Sequence, residues 1–386
     1  MQAVASDHRF PCPKCGSDLR FDPASGDLVC DHCGNREPLA QARTGESIRE
    51  IAIGAGLDAH LPEAETETAR WSRCPNCGAQ VEFDAAVHAL ECPFCATPVV
   101  ADTGETRRIK PKGVLPFMIT ERDARGALTA WLGSLWFAPN GLVDYARRGR
   151  AMQGIYVPFW TFDADTKSTY KGRRGDAYTD TETVTVRDAQ GRSRTERRNV
   201  TRIRWTPAAG RVARFFDDVL VLASRSLPQD HVDALMPWDL SRLTPYRPEY
   251  LAGFRAEGYT VPLEDGLKQA RAYMDRMIER DVRFDIGGDR QEIHGISTQV
   301  SDVTFKHILL PVWLAAYRFR GRSYRFVVNG QTGRVKGERP WSAVKLFFFA
   351  LAIAAATAVA LYVADRSGAF DEIGTDGGGF SIRFGD

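Results

Sequence analysis

Cys12-Pro13-Lys14-Cys15 and Cys30-Asp31-His32-Cys33, then Cys74-Pro75-Asn76-Cys77 and Cys92-Pro93-Phe94-Cys95, contain every cysteine of this 386-residue chain. The step from Cys15 to Cys30 equals that from Cys77 to Cys92, and the flanks repeat as well. Gly16 and Phe21-Asp22 of the first copy answer to Gly78 and Phe83-Asp84 of the second, and Leu28-Val29 leads into Cys30 as Leu90-Glu91 leads into Cys92. A Cys-x2-Cys turn presents two thiolates on one side of a tight knuckle. Two knuckles joined by a short hairpin close a four-thiolate shell, which suits Zn²⁺. The reading is two small β ribbons, residues 1–40 and 71–101, each built around one structural zinc ion: Cys12, Cys15, Cys30 and Cys33 in the first, Cys74, Cys77, Cys92 and Cys95 in the second.

Other uses of cysteine fit less well. Disulfides need an oxidising compartment, and Met1 to Arg9 shows no apolar core of a secretory leader. Two-residue spacing also suits a rubredoxin-like iron centre. A catalytic zinc needs an open coordination position, which four thiolates remove. His32 and His88 lie nearby, but each site already has its four ligands.

Residues 346–364 (LFFFALAIAAATAVALYVA) carry no charge, glycine or proline. At ~1.5 Å per residue this stretch approaches the ~30 Å hydrocarbon core of a bilayer, and Lys345 and Tyr362 can snorkel to its edges. The reading is a transmembrane helix over 345–364. Arg334, Lys336, Arg339 and Lys345 precede it, whereas Arg366 follows among Asp365, Asp371, Glu372 and Asp376. The positive-inside rule then keeps the N-terminal bulk in the cytoplasm and sends the Gly-rich tail 365–386, expected to be unstructured, outside the inner membrane. Ala352, Ala356 and Ala360 form a small-xxx-small row that suits a partner helix.

Between the ribbons, residues 41–70 read as a helical and acidic linker. Ser47 and Glu50 form a capping box opening a helix through Ile51 and Ile53, followed by Glu63, Glu65 and Glu67. Residues 103–112 read as a charged connector, and an α+β domain occupies 113–340. In it, Thr120 caps a helix carrying Ala124, Leu128, Trp131, Leu132, Leu135 and Trp136 at helical spacing. Thr183–Arg187 and Asn199–Trp205 alternate as a hairpin around Asp188–Gly191. A second helix runs from Leu263 through Leu267, Ala270, Met274 and Ile278. Strands Ile308–Phe319 and Tyr324–Val328 close the domain, with a turn at Asn329–Gly333. Val157-Pro158-Phe159-Trp160 echoes Leu310-Pro311-Val312-Trp313, and Leu115-Pro116-Phe117 is a shorter third copy. The echo suggests an internal duplication, with each proline at a strand start or an edge.

The chain has no phosphate-binding Gly-x4-Gly-Lys-Ser/Thr loop, no His-Glu-x2-His and no Gly-x-Ser-x-Gly. His231, His294 and His307 are scattered, and Asp217-Asp218, Asp285 and Asp289 read as solvated turns rather than cation ligands. No enzyme is expected. The clearest basic patch is Arg187, Arg192, Arg194, Arg197, Arg198, Arg202 and Arg204 in the hairpin, a candidate contact for anionic headgroups or phosphate, unless its own Asp and Glu neighbours neutralise it. With a net charge of +2, nothing global points to nucleic acid. Each ribbon carries two more acidic than basic residues, and a tetrathiolate zinc adds two further negative charges, which suits protein docking better than a polyanion.

Taken together, the two ribbons, Leu115–Phe117, Tyr156–Trp160, Phe305–Trp313, Asn329–Gly333, Gly337–Pro340 and the span resemble a bacterial family of membrane-anchored tandem zinc-ribbon proteins of TFIIB type. Some of its members are labelled primosomal-helicase-like, but this chain lacks the nucleotide-binding loop that a helicase needs. Others accompany phage-shock-type coiled-coil and flotillin-like proteins. The resemblance therefore implies a non-enzymatic adaptor that recruits cytosolic or membrane-associated proteins to the bilayer through its ribbons, possible partners in envelope stress among them. The alternative is a membrane-tethered nucleic-acid-binding protein of replication or transcription.

Overall fold

The computed structural model describes residues 10–39, 48–57, 61–62, 65–82, 89–94, 97–100, 105–137, 152–187, 193–319, 322–338 and 341–366. Ribbon 1 is a three-stranded antiparallel sheet of β1 (Leu19–Phe21), β2 (Asp27–Cys30) and β3 (Arg36–Pro38). The segment after it is not a free linker. Ile51–Ala52 forms strand β4, and the helix expected from the capping box begins only at Ile53 (α1, Ile53–Leu57). Ile51 is buried, and β4 pairs with Thr304 and Phe305 of the main sheet. Apolar burial and an open sheet position outcompete the local helix signal there; Ser47, its proposed cap, lies outside the described residues.

From Glu65 onward the acidic stretch is also structured. β5 (Thr66–Arg73) pairs with β6 (Gln80–Glu82) of ribbon 2 on one edge and with β9 (Glu105–Ile109), inside the expected charged connector, on the other. Glu65 is ion-paired with Lys112. Ribbon 2 is completed by the hairpin β7 (Ala89–Glu91) and β8 (Pro98–Val100).

Two very long strands form the centre of the molecule. After β10 (Gly113–Val114) and helix α2 (Glu121–Ser134, capped by Thr120 with Asp123), β11 runs unbroken from Gln153 to Arg187. β12 (Ser193–Leu222) returns antiparallel beside it. Helix α3 (Gln229–Asp233), β13 (Thr244–Pro245), β14 (Arg255–Gly258) and helix α4 (Leu263–Ile286) follow, then β15 (Arg290–Phe319), β16 (Arg322–Asn329), β17 (Val335–Gly337) and helix α5 (Ala343–Arg366). β15 pairs antiparallel with β11 from Gln153↔Leu314 to Gly175↔Arg290. β10 and β16 lie on the far edge of β15, and β14 and β12 on the far edge of β11.

The echoed prolines are not at edges, because β11 and β15 are central strands. Each falls where the neighbouring partner changes. β14 ends its pairing at Tyr156 and β12 begins at Phe159, leaving Pro158 between them. β10 ends at Leu309 and β16 begins at Val312, leaving Pro311 between them. A residue without an N–H is tolerated in such a gap. Trp160 Nε1 donates to Val261 O at 3.0 Å and Trp313 Nε1 to Ile119 O at 3.2 Å, so both echoed indoles brace a loop.

α4 buries Leu267, Ala270, Met274, Ile278, Val282 and Ile286 against Phe162, Tyr170 and Phe216 of the sheet. At ~1.5 Å per residue its 24 residues cover ~36 Å, whereas β11 extends ~110 Å at ~3.3 Å per residue. The burial of β11 follows this mismatch. Ile155–Ala164 is continuously buried, the next residues alternate, and Thr181–Arg187 is exposed. Beyond Gly175 the third strand is gone, and β11 and β12 continue as a two-stranded ribbon.

Candidate metal centres

In ribbon 1, Cys12 Sγ lies 3.6 Å from Cys33 Sγ and Cys15 Sγ lies 3.5 Å from Cys30 Sγ, with all four sulfurs within 4.8 Å of one another. Tetrahedral ligands at ~2.3 Å from a zinc ion stand ~3.8 Å apart, whereas a disulfide brings two sulfurs to ~2.05 Å. The spacing is that of a zinc shell. In ribbon 2, Cys77 Sγ is 3.6 Å from Cys92 Sγ, and Cys74 completes a trio within the same limit. Cys95, the fourth ligand expected from the spacing, lies outside the described residues.

The knuckles repeat one backbone device. Gly16 N donates to Cys12 O (2.8 Å), Gly34 N to Cys30 O (2.9 Å) and Gly78 N to Cys74 O (3.0 Å). All three glycines have positive φ, 75°, 69° and 76°, a conformation in which a Cβ is strained. The fourth knuckle carries Ala96 instead, outside the described residues. With sulfurs set at zinc spacing by this shared turn, both centres are structural zinc sites.

Neither ribbon stands apart from the main domain. Cys12, Leu19, Phe21, Leu28 and Cys30 belong to the same buried cluster as Tyr156, Leu251, Ala252 and Trp313. Phe21 meets Tyr250 edge-on at 5.4 Å, and Phe21 N donates to Ala252 O. Cys74, Ala79, Cys92, Phe94 and Val99 likewise join Leu222, Leu227, Val232 and Leu310. Cys15 and Cys33 face solvent while Cys12 and Cys30 face the core.

The arginine hairpin divides by register. Asp176, Tyr178, Asp180, Glu182, Val184 and Val186 lie opposite Arg204, Arg202, Val200, Arg198, Glu196 and Arg194, so four arginines and four carboxylates share one face. Arg202 pairs with Asp180 at 3.1 Å and Glu182 at 3.9 Å, and Arg204 lies over the Tyr178 ring at 5.0 Å. Thr179, Thr181, Thr183 and Thr185 occupy the other face with Thr195, Arg197, Asn199 and Thr201, and Arg187 ends that row. The sequence thus reads as a basic patch, but its charged face is balanced. Arg192 lies outside the described residues.

The structure also assembles a buried ionic cluster that spacing alone did not reveal. Lys306 Nζ stands 2.9 Å from Glu50 Oε1, 3.2 Å from Asp163 Oδ2 and 2.8 Å from Asp218 Oδ1, with Lys306 and Asp163 almost wholly enclosed. Asp163 sits at a bulge of β11 and accepts from Asp218 N at 2.5 Å. Burial pushes the Asp163 carboxyl up to about 6. Burial also opposes the charge of Glu50, but hydrogen bonds from Thr304 and Lys306 outweigh it and bring that carboxyl down to about 2. Asp163, Asp217 and Asp218 form a carboxylate trio, yet the Lys306 ammonium already supplies the cation there. Asp163 in an apolar run and Lys306 between Phe305 and His307 were the available signals. Asp285 and Asp289 are separately engaged, by Tyr170 OH at 2.6 Å and by Ala177 N at 2.7 Å.

His307 is enclosed between Trp160 and Tyr259, with Nδ1 2.9 Å from Ile109 O. Burial drops its pKa from 6.5 to about 4. An unfolded chain therefore takes up this proton first, so the stability it contributes is full above pH 6.5 and is lost as pH falls towards 4. The expected loss is ~3 kcal/mol, and His307→Gln should flatten that part of a urea-unfolding pH profile.

α5 is exposed from Leu346 to Val363, and Ala343–Val363, of mean hydropathy 2.4, is the one described helix long and apolar enough to cross a membrane. Ala352, Ala356 and Ala360 lie along it, all exposed.

Residues 6–38 match the family described as the zinc-finger of RNA-polymerase I-specific TFIIB, Rrn7. No solved structure matches the chain. Similarity to a curated relative reaches far beyond the first ribbon: the chain is 26% identical over 355 residues, 91% of its own length and 96% of the relative's, to uncharacterized protein YdjG of Bacillus subtilis (strain 168). The first centre is thus similar to a known zinc ribbon, and the chain as a whole to a protein of the same extent.

Proposed function

We propose that this chain is a single-pass membrane protein whose ribbons and α+β domain lie in the cytoplasm, and that it acts without catalysis, as an adaptor holding a protein partner near the bilayer. The observation that carries this reading is the geometry of β11. At its Gln153 end, Met152 N donates to Glu121 of α2, and the far end of α2 touches α5 through Phe137 and Phe349. The opposite end, Arg187, lies ~110 Å along the strand in a solvated hairpin. The hairpin thus lies far along the strand from the helix that anchors the chain, which suits reaching a partner better than binding the headgroups around α5. Its balanced charged face also gives little counterion release, which favours a protein over nucleic acid as partner. The outer face of ribbon 1, with Lys14, Asp18, Asp31 and His32 exposed, remains available to the same partner.

The test is affinity capture from detergent-solubilised, nuclease-treated membranes. The intact chain is compared with Cys74→Ser/Cys77→Ser and with a variant in which Asn-Gly joins Asp180 directly to Val200. The described residues removed in that variant are exposed and pair with each other beyond the end of β15, so the shortened chain should keep both zinc ions. A specific protein recovered by the intact chain and lost with either variant supports the adaptor. Recovery that requires added nucleic acid, or recovery unchanged by both variants, refutes it.

A further inference from the structure

We propose that the carboxyl end of α2 is a second membrane contact, with Trp136 in the headgroup interface and the Phe137 ring beside α5 at the acyl boundary. The domain is then seated on the bilayer rather than tethered to it. This rests on the reading of α5 as a span, given above.

Trp136 is 81% exposed, although it lies just two residues beyond a helix whose Ala124, Leu128 and Leu132 are buried against the domain. It is not far from the apolar helix, which begins 207 residues later in sequence. Lys345 Nζ donates to Trp136 O at 3.1 Å, and Ser342 N donates to Phe137 O at 2.8 Å. These bonds fix the end of α2 beside the first turn of α5. The Phe137 ring then extends along α5, its centroid 6.1 Å from that of Trp341 and 5.1 Å from that of Phe349.

Depth follows from the helix rise. The apolar stretch begins at Ala343, and Phe349 lies six residues further, ~9 Å along the axis. A ring in contact with Phe349 cannot stay in bulk water if α5 spans. Trp136 and Trp341, the latter 54% exposed, stand one step above it, where an amphipathic indole with a polar N–H is favoured. Lys345 shows the posture of an interfacial lysine, its ammonium drawn back to a carbonyl on the domain side. Aromatic rings and a lysine at one level mark the edge of a bilayer. Continuity with the apolar helix makes lipid, rather than a separate protein, the occupant.

The experiment places a photo-crosslinker in the full chain, reconstituted in phosphatidylcholine/phosphatidylglycerol vesicles with alkyne-tagged acyl chains. Three variants are compared, each checked for two zinc equivalents: Trp136→benzoylphenylalanine, Phe348→benzoylphenylalanine in the span and Arg197→benzoylphenylalanine in the hairpin. Lipid labelling at 136 should fall within ~3-fold of that at 348 and exceed that at 197 by ~10-fold. Strong labelling at 348 with only background at 136 overturns the second contact and leaves the span standing. So does labelling of polypeptide instead of lipid at 136. Background labelling at both 136 and 348 removes the span, and the proposal with it.

Discussion

Cys30→Ser is expected to lower the zinc content of the purified chain from two equivalents to one and to detach ribbon 1 from the domain. Cys30 is 1% exposed and lies in one buried cluster with Phe21, Leu251 and Ala252. A ribbon of this size cannot support its fold from apolar burial alone. Structural zinc contributes apparent binding energies of ~10 kcal/mol or more in small zinc domains, so losing a ligand unfolds the module rather than loosening it. Unfolding strips Phe21 from Tyr250 and Phe254 and exposes a face that intact zinc keeps dry. Metal analysis gives the stoichiometry, and trypsin should then cut at Arg20 and Arg36 at rates typical of an unfolded chain. Phe21→Ala separates the two effects: ~3–5 kcal/mol of docking is lost while both zinc ions stay bound. A Cys30→Ser chain that keeps two zinc equivalents, or that loses one while Arg20 stays protected, would contradict the structure.

Lys306→Met should cost ~3–5 kcal/mol at neutral pH, the usual result of removing one partner from a buried ionic cluster. The ammonium serves Glu50, Asp163 and Asp218 together, and its loss leaves Asp163 enclosed at a strand bulge with no countercharge. β4 is held to the sheet partly through Glu50, so the segment between the ribbons should also exchange its amide hydrogens faster. Adding Asp163→Asn removes the stranded charge, and the double variant should recover ~1–3 kcal/mol in urea unfolding. Equal and additive losses from both substitutions would show that the two side chains act independently.

Elements fixed by local chemistry could be read directly from the sequence. The metal centres were, because four ligands on two tight turns admit few spacings. α4 was, because Leu263, Leu267, Ala270, Met274 and Ile278 keep one face through the whole helix, which continues to Ile286. β11 was not, because its surroundings change along its length. Residues 155–164 are buried on both faces, the following stretch alternates over α4, and 181–187 lies in water. A strand crossing three environments carries three patterns, and the sequence points to it only in two separate pieces, the proline echo at Val157–Trp160 and the alternation of Thr183–Arg187. The proline echo pointed to the right places for another reason, since Pro158 and Pro311 mark changes of partner inside the sheet. Docking of the ribbons was illegible because Phe21 and Tyr250 meet across more than two hundred residues, and no local period encodes that. The balance of the arginine hairpin likewise appears only once Glu182 is placed opposite Arg198.

Ribbon 1 has a consequence for the chain while it is still being made. All four of its cysteines have left the ribosome long before the residues that cover it, Tyr250 to Phe254, have been translated. At ~5–20 residues per second that interval lasts on the order of tens of seconds. The ribbon can capture zinc from its own short hairpin, but its oily face then waits uncovered on the nascent chain. Metal starvation or oxidation would therefore damage newly synthesised copies first, while molecules already assembled keep Cys12 and Cys30 sealed.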